Sequence, residues 1–362
     1  MEYRPQRLRA LRASLKESGF DALLVTSLPN IRYLTGFSGS NALLVVSDDA
    51  APVLLTDSRY AAQVGDEVGE HARVRIEPAS LWAGLRETIT MISGGSRLAF
   101  ESAHLRYEDF ERLADLAGRW YWRGAVGVVE ALRERKDPGE LLLIAEAVRI
   151  AEAALERTIG DIRAGLTERQ VAGILEHHLR DLGSEGTPFD TIVASGERSA
   201  LPHAQASTRA LRDGEFLLID FGARFEGYCS DITRTFALRS VNAEMQEIHD
   251  IVREANLTAS GGVRAGMRGR DADALARGYI ERRGQGDAFG HSLGHGIGLE
   301  VHEGPRLART ADAPLPVGAV VTIEPGIYRP GWGGVRIEDD VHLTGDGPQL
   351  LTKFPRELMV IG

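Results

Sequence analysis

The first 130 residues carry two hydrophobic periods in alternation. An arginine-rich stretch at 7–18 has its apolar residues at helical spacing, and short apolar runs at 22–25, 42–46 and 53–55 have the length and composition of strands. Helical patterns begin again at Ser58 and Ser80, so this part of the chain predicts an α/β domain. Around Arg133-Glu134-Arg135-Lys136-Asp137-Pro138-Gly139 the chain turns charged and carries a Pro-Gly pair, after which 140–162 returns to helical periodicity with strong helix formers. A domain boundary there divides the chain into 1–135 and 136–362. The competing reading is a loop inside one larger domain.

The second part contains a weak internal repeat. Ile162-Arg163-Ala164-Gly165-Leu166 aligns with Val263-Arg264-Ala265-Gly266-Met267 at an offset of 101 residues, and at that offset Ala154 meets Ala255, Arg169 meets Arg270, and Leu179 with Gly183 meets Ile280 with Gly284. In each copy one helix would end at Arg-Ala-Gly and the next would run to the second glycine. Strand-rich segments with polar residues follow both. The repeat predicts two α-α-β halves with pseudo-twofold symmetry and a site between them, unless it is the chance likeness of two amphipathic helix pairs.

Composition narrows the class of protein. A chain of 362 residues suits two domains at about 150 residues each, and 43% hydrophobic residues can build large cores. With 42 Lys and Arg against 52 Asp and Glu the net charge is −10, which argues against a nucleic-acid-binding face. The single cysteine, Cys229, can make no internal disulfide and fits a reducing compartment; it reads better as a small buried hydrophobe than as a redox switch. Arg and Lys interrupt the N-terminal stretch too often for a signal peptide, and apolar runs such as 42–46 and 216–219 fall far short of the roughly 20 residues that span a bilayer. A soluble cytoplasmic protein without membrane or nucleic-acid partners is expected.

Histidine is the informative residue type. Three of the ten lie within twelve positions, in Gly290-His291-Ser292-Leu293-Gly294-His295-Gly296-Ile297-Gly298-Leu299-Glu300-Val301-His302-Glu303. The spacing of His291 and His295 is that of helical zinc motifs, but four glycines would cost a helix roughly 1 kcal/mol each. A glycine-rich strand or loop fits better, one in which the backbone approaches a metal or a substrate closely.

Carboxylates interrupt apolar runs elsewhere: Asp220 in Phe216-Leu217-Leu218-Ile219-Asp220-Phe221, Asp231 in Tyr228-Cys229-Ser230-Asp231-Ile232, Glu324 in Val320-Val321-Thr322-Ile323-Glu324-Pro325, and Glu338 in Gly334-Val335-Arg336-Ile337-Glu338-Asp339. One such residue at a strand end is ordinarily a turn cap. Four, together with a histidine cluster, call for a cation, because a buried carboxylate without one is protonated or destabilises the fold.

In that order and in those contexts, Asp220, Asp231, His295, Glu324 and Glu338 resemble the five metal ligands of the pita-bread metallopeptidases, the superfamily of methionine aminopeptidase, aminopeptidase P and prolidase. The likeness spans about 136–362, and none of the five positions departs from it. It implies a pita-bread catalytic domain of α+β class behind a creatinase-like α/β domain, with two metal ions: Asp231 and Glu338 bridge both, Asp220 holds one, and His295 with Glu324 holds the other. Four carboxylates and one imidazole make a hard, oxygen-rich set that favours Mn2+, with Co2+ or Zn2+ able to substitute. The resemblance further implies that His203 and His302 bind substrate and the tetrahedral intermediate, that Glu324 shuttles a proton, and that His291, Arg336 and Tyr328 support or bind substrate.

The preceding α/β domain separates the chain from short methionine aminopeptidases, and the intact ligand set separates it from creatinase and from non-catalytic protein-binding relatives. Of the two proline peptidases that remain, the strings Asn30-Ile31-Arg32-Tyr33-Leu34-Thr35-Gly36-Phe37-Ser38-Gly39-Ser40 and Leu55-Thr56-Asp57-Ser58-Arg59-Tyr60 resemble aminopeptidase P. The expected activity is therefore release of the first residue from peptides with proline second, with Xaa-Pro dipeptidase (prolidase) as the alternative. The resemblance also implies a homodimer, with Asp57, Arg59 and the 33–40 loop near the cleft.

Overall fold

A computed structural model of the chain describes residues 3–362 except 49, 93–95, 117 and 119. The chain divides into two compact units, Met1–Arg133 and Glu134–Gly362.

The first unit is α/β, as its alternating pattern predicts. Strands β1 (Ala22–Val25), β2 (Ala42–Ser47), β3 (Val53–Thr56), β4 (Arg73–Ile76), β5 (Arg97–Glu101) and β6 (Tyr121–Ala125) form one sheet in the order β4-β3-β2-β1-β5-β6. Every position of β1 and β2 is buried, the pattern of strands covered on both faces. Helices α1 (Arg4–Glu17), α2 (Leu28–Thr35), α3 (Val64–Val68), α4 (Leu81–Thr90), α5 (Tyr107–Asp115) and α6 (Glu130–Arg133) complete the unit. Leu8, Leu11 and Leu15 form the buried stripe of α1, and Ser80 caps α4 through its side chain.

The helix expected from Ser58 is reduced to one tight turn, Ser58–Tyr60, followed by the short α3. Asp57 explains this locally: its carboxylate accepts the Arg59 N–H at 3.0 Å and the Arg59 guanidinium at 2.8 and 2.9 Å, and Asn41 donates to it at 2.6 Å. Those bonds satisfy the first turn without continuing it.

The second unit opens with a capping box. Asp137 accepts from the N–H groups of Gly139 and Glu140 while Glu140 accepts the Asp137 N–H, so the Pro-Gly pair starts the 24-residue helix α7 (Pro138–Asp161) rather than breaking it. The repeat is structural. Helix α7 ends 101 residues before the end of α9 (Ala243–Gly262), and the bounds of α8 (Glu168–Asp181) and α10 (Gly269–Arg282) match at both ends at the same offset. Gly165 and Gly266 both adopt positive φ, 89° and 83°, a conformation open to glycine at little cost.

Three antiparallel strands follow each helix pair: β7 (Ile192–Ser195), β8 (Phe216–Phe221) and β11 (Ile232–Leu238) in the first half, β12 (Gly294–Gly296), β14 (Val320–Ile323) and β17 (Asp339–Leu343) in the second. Short hairpins β9 (Arg224–Phe225) with β10 (Tyr228–Cys229) and β15 (Gly326–Arg329) with β16 (Gly333–Arg336), and edge strands β13 (Glu303–Leu307), β18 (Pro348–Leu350) and β19 (Val360–Ile361), complete the sheets. Each half has its own apolar core, α7 and α8 against β8 and β11, α9 and α10 against β14 and β17. Cys229 is buried, and burial pushes its thiol up to about 11, as suits a small core residue. Among the described residues no helix is long and apolar enough to cross a membrane.

Candidate metal centre

The two halves bring the five candidate ligands to one place. Asp220 lies on β8 and Asp231 just before β11, and the β8–β11 register, with Phe221 opposite Ile232, sets the two close together. His295 is the middle residue of β12, Glu324 follows β14, and Glu338 lies between β16 and β17. His295 Nε2 is 3.5 Å from Glu324 Oε1 and 3.8 Å from Asp231 Oδ2. Asp231, His295 and Glu338 each offer one ligand atom within 4.8 Å of the others.

The glycines around His295 answer to close packing. A Cβ at Gly294 would run into the Thr322 carbonyl, and one at Gly296 into the Gly304 carbonyl. The segment is a strand, not a helix, and it needs backbone contact on both sides of the histidine. His295 Nδ1 donates to the Gly296 carbonyl at 3.0 Å, which leaves Nε2 as the lone-pair nitrogen facing the carboxylates.

The electrostatics are those of a site built for cations. Burial and then the neighbouring Glu338 push Asp231 and Glu324 well above the carboxylate range, and burial and then Asp220 push Glu338 up to about 8. Burial and then the His302 ring hold His295 down to about 4. Asp220 Oδ1 and Asp231 Oδ1 are buried with no hydrogen-bond partner among the described residues. Unsatisfied anionic oxygens beside a lone-pair nitrogen are the donor set a divalent cation completes, so these residues fit such ions.

A cavity of about 1440 Å³ opens over this cluster, and its wall includes His203, His291, His302 and Arg336 besides the five. His203 is on the loop after β7 and His302 directly precedes β13; the His295 and His302 ring centroids are 4.3 Å apart. Tyr328 lies outside the cavity wall. Its hydroxyl accepts from Arg336 Nη1 and donates to His291 Nε2, both at 2.8 Å, while His291 Nδ1 donates to the Ser292 carbonyl. Arg336 is 3% exposed, and its guanidinium is spent on Asp220 Oδ2 (2.5 Å), Thr233 Oγ1 (3.0 Å), Tyr328 and the Pro202 carbonyl beside His203. Both side chains are engaged by protein, Arg336 with Asp220, Thr233, Tyr328 and the Pro202 carbonyl and Tyr328 with Arg336 and His291.

Two residues of the site are not found by sequence reasoning. Arg306 lines the cavity and stands directly across from His295 in the β12–β13 ladder, so both side chains share a face. No ion pair or hydrogen bond of its side chain occurs among the described residues. Glu168, at the start of α8, is fully buried and accepts from Ser195 N and Oγ (both 2.9 Å), Ser207 N (3.0 Å) and Oγ (2.6 Å), and Arg198 Nε (3.1 Å). It ties both ends of the loop that carries His203. Burial pushes its carboxyl up, but the bonds from Ser207 and Ser195 outweigh burial and hold it below the usual range. In the sequence the Thr167/Gln170 capping pair accounts for this helix start and gives no hint of the second task.

Glu168→Ala would orphan two backbone and two hydroxyl groups at a cost on the order of 3 kcal/mol. At about 2–4 °C per kcal/mol the catalytic unit's Tm is expected to fall by roughly 6–12 °C, with a matching loss of activity below the melt. Calorimetry showing an unchanged Tm would remove this role for Glu168.

A pita-bread fold holding four carboxylates and a histidine at one cavity defines a metallopeptidase. The chain belongs to metallopeptidase family M24, whose pattern matches residues 143–345, and residues 7–135 match the Creatinase/Prolidase N-terminal domain. It is similar to the structure of the Xaa-Pro dipeptidase from Bacillus anthracis (40% identity, 99% of this chain and 100% of that one, TM-score 0.95) and of the X-Pro aminopeptidase from Thermotoga maritima MSB8 (40% identity, 98% and 99%, TM-score 0.90). The Xaa-Pro dipeptidase of Pyrococcus horikoshii is 35% identical over 99% of this chain and all of its own length. Membership in the family implies divalent metal ions.

Proposed function

We propose that this metallopeptidase hydrolyses Xaa-Pro bonds and that its preferred substrate is the Xaa-Pro dipeptide. This order reverses the one expected from the N-terminal strings, because relatives that align along their whole length are named Xaa-Pro dipeptidase. The observation that carries it in this chain is Arg306, a cation on the cavity wall without an acidic partner, on the same face as His295. A dipeptide presents a free carboxylate one residue beyond the scissile bond, and a guanidinium matches it with two parallel hydrogen bonds. The 40% identity to an X-Pro aminopeptidase keeps removal of the first residue from longer peptides as the second reading.

In this reading Asp220, Asp231, His295, Glu324 and Glu338 would hold the two ions, and the oxygen-rich donor set favours Mn2+. Bound ions would supply a Lewis acid for the scissile carbonyl and a water acidified to near neutral pH. The chain does the rest. His203 and His302 donate N–H bonds to the substrate carbonyl as it gains negative charge, and burial keeps the His302 pKa below its usual value, hence a neutral donor at pH 7. Glu324 takes the proton of the attacking water and returns it to the proline nitrogen. Domains 1–135 and 136–362 and a cytoplasmic location, read from the sequence pattern, and a homodimer, carried over from the resemblance to proline peptidases, complete the reading.

A matched pair tests it: an Xaa-Pro dipeptide and the same sequence extended by two residues, with Mn2+-loaded and chelated protein. The dipeptide is expected to be cleaved faster, and Arg306→Ala to raise its KM by about 10- to 100-fold, the worth of 1.5–3 kcal/mol for a charged hydrogen bond, with little change for the longer peptide. Faster cleavage of the extended peptide by the wild type would instead establish the aminopeptidase.

A further inference from the structure

The peptide units that present Glu324 and Glu338 are tied together by one side chain. Asn256 lies on the buried face of α9, among Val252, Ala255 and Ala259, and is itself fully buried. Its Nδ2 donates to the Ile323 carbonyl at 2.9 Å and to the Ile337 carbonyl at 3.2 Å. Those carbonyls belong to the peptide groups whose N–H groups are those of Glu324 and Glu338. At their other ends the Glu324 N–H donates to Leu293 O (2.8 Å) and the Glu338 N–H to Thr233 O (3.1 Å). Both peptide planes are thereby fixed at each end, and their carbonyl ends share one amide.

The repeat shows that the fold itself does not require this amide. At the offset of 101 residues Asn256 corresponds to Leu155 on α7, an apolar residue in the core of the first half. Asn256 Oδ1 is buried with no partner among the described residues, a penalty that a leucine of the same branching avoids. A leucine cannot donate to two carbonyls. The β14–β17 pairing ends at Ile323 opposite Asp339, and Asn256 spans the two carbonyls at that end, just before Glu324 and Glu338.

We propose that Asn256 is a positioning residue that fixes the separation and aim of Glu324 and Glu338 toward the divalent ions. This rests on the reading of those glutamates as ligands. Side chains behind metal ligands typically change metal affinity by about 10- to 100-fold when removed. The loss is therefore sought in metal binding, where a residue that only fills the core has no effect.

The test compares full-length wild type with Asn256→Leu, each stripped by chelation, by thermal melting and by calorimetric titration with Mn2+, together with the visible spectrum of the Co2+-loaded proteins. Expected are a cooperative melt for the metal-free variant, Mn2+ binding weakened by at least about 10-fold, and an altered Co2+ spectrum. Wild-type affinity and spectrum in a folded variant would overturn the proposal. If the leucine variant does not melt cooperatively, Asn256→Ser decides: its hydroxyl can serve only one of the two carbonyls, so weakened binding supports the clamp and unchanged binding overturns it. A wild type that takes up no divalent ion would overturn the metallopeptidase reading and the clamp with it, an outcome distinct from equal binding by both proteins.

Discussion

Metal-free protein is expected to lose thermal stability as the pH rises from about 6.5 to 8, whereas Mn2+-loaded protein gains or holds it over the same range. The cause is the set of buried carboxylates. Asp231, Glu324 and Glu338 hold protons in the folded metal-free chain at pH values where the unfolded chain has released them, and Glu338 does so up to about 8. The folded state then binds more protons than the unfolded state, so raising the pH favours unfolding. This stability is fully present below the unfolded carboxylate values near 4 and is lost on passing through the folded ones, a change on the order of several kcal/mol.

Below pH 6.5 the buried histidines act in the opposite sense. His249, His291 and His295 are held down to about 4 by burial, so the unfolded chain binds more protons there and acid destabilises the fold. Between about pH 4.5 and 6.5 the two sets offset each other, so the stripped protein's stability is expected to be level there and to fall only above about 6.5. Bound ions favour the ionised carboxylates and add about 2.7 kcal/mol when present at 100 times their Kd, increasingly so as the ligands deprotonate. Calorimetry at several pH values with and without Mn2+ checks this, and parallel Tm curves for the two forms would refute it.

The second large effect concerns the carboxylates assigned to bridge the ions. Asp231→Asn and Glu338→Gln keep the shape of each side chain and remove its charge. Activity is expected to fall by at least about 10³-fold, the scale on which loss of a charge-stabilising group is felt, and metal uptake to fall from two ions per chain toward one. Thr233 Oγ1 donates to Glu338 Oε2 at 2.7 Å, a bond that the glutamine oxygen can still accept. Stripped Glu338→Gln should consequently melt above stripped wild type at pH 8, since the glutamine has no buried charge to develop there. Loss of activity with a lowered metal-free Tm would instead mark Glu338 as a structural residue.

The parts of the site that stand out in the sequence are those whose chemistry conflicts with their surroundings. Asp220 in an apolar strand, Glu324 after Val320-Val321-Thr322-Ile323, and a histidine between glycines are each costly locally, so each points to something the fold must add. Residues whose local role already satisfies them stay hidden. Glu168 reads as an ordinary acidic residue in a first helical turn, and Asn256 as one polar residue on an amphipathic helix. Arg336 and Tyr328 read as substrate-side groups, because nothing in their spacing reveals that Asp220, His291 and Thr233 have already claimed their donors. The Pro-Gly pair at Pro138-Gly139 was visible as a boundary, but its use as a helix start depended on Asp137 and Glu140 bonding to each other's backbone.

The sequence by itself determined the helix ends of the two repeated halves, the non-helical character of the histidine segment and the hard, oxygen-rich chemistry of the donors. These follow from short-range terms: glycine at positive φ, side-chain periodicity and residue type. Only the tertiary structure decided which partners those donors meet. Arg306 comes to the same face as His295 through a strand pairing, Glu168 reaches loop residues 27 and 39 positions away, and Asn256 reaches carbonyls 67 and 81 positions away. Such contacts arise when the helices and strands within each half pack on one another, and no local pattern along the chain encodes that distance.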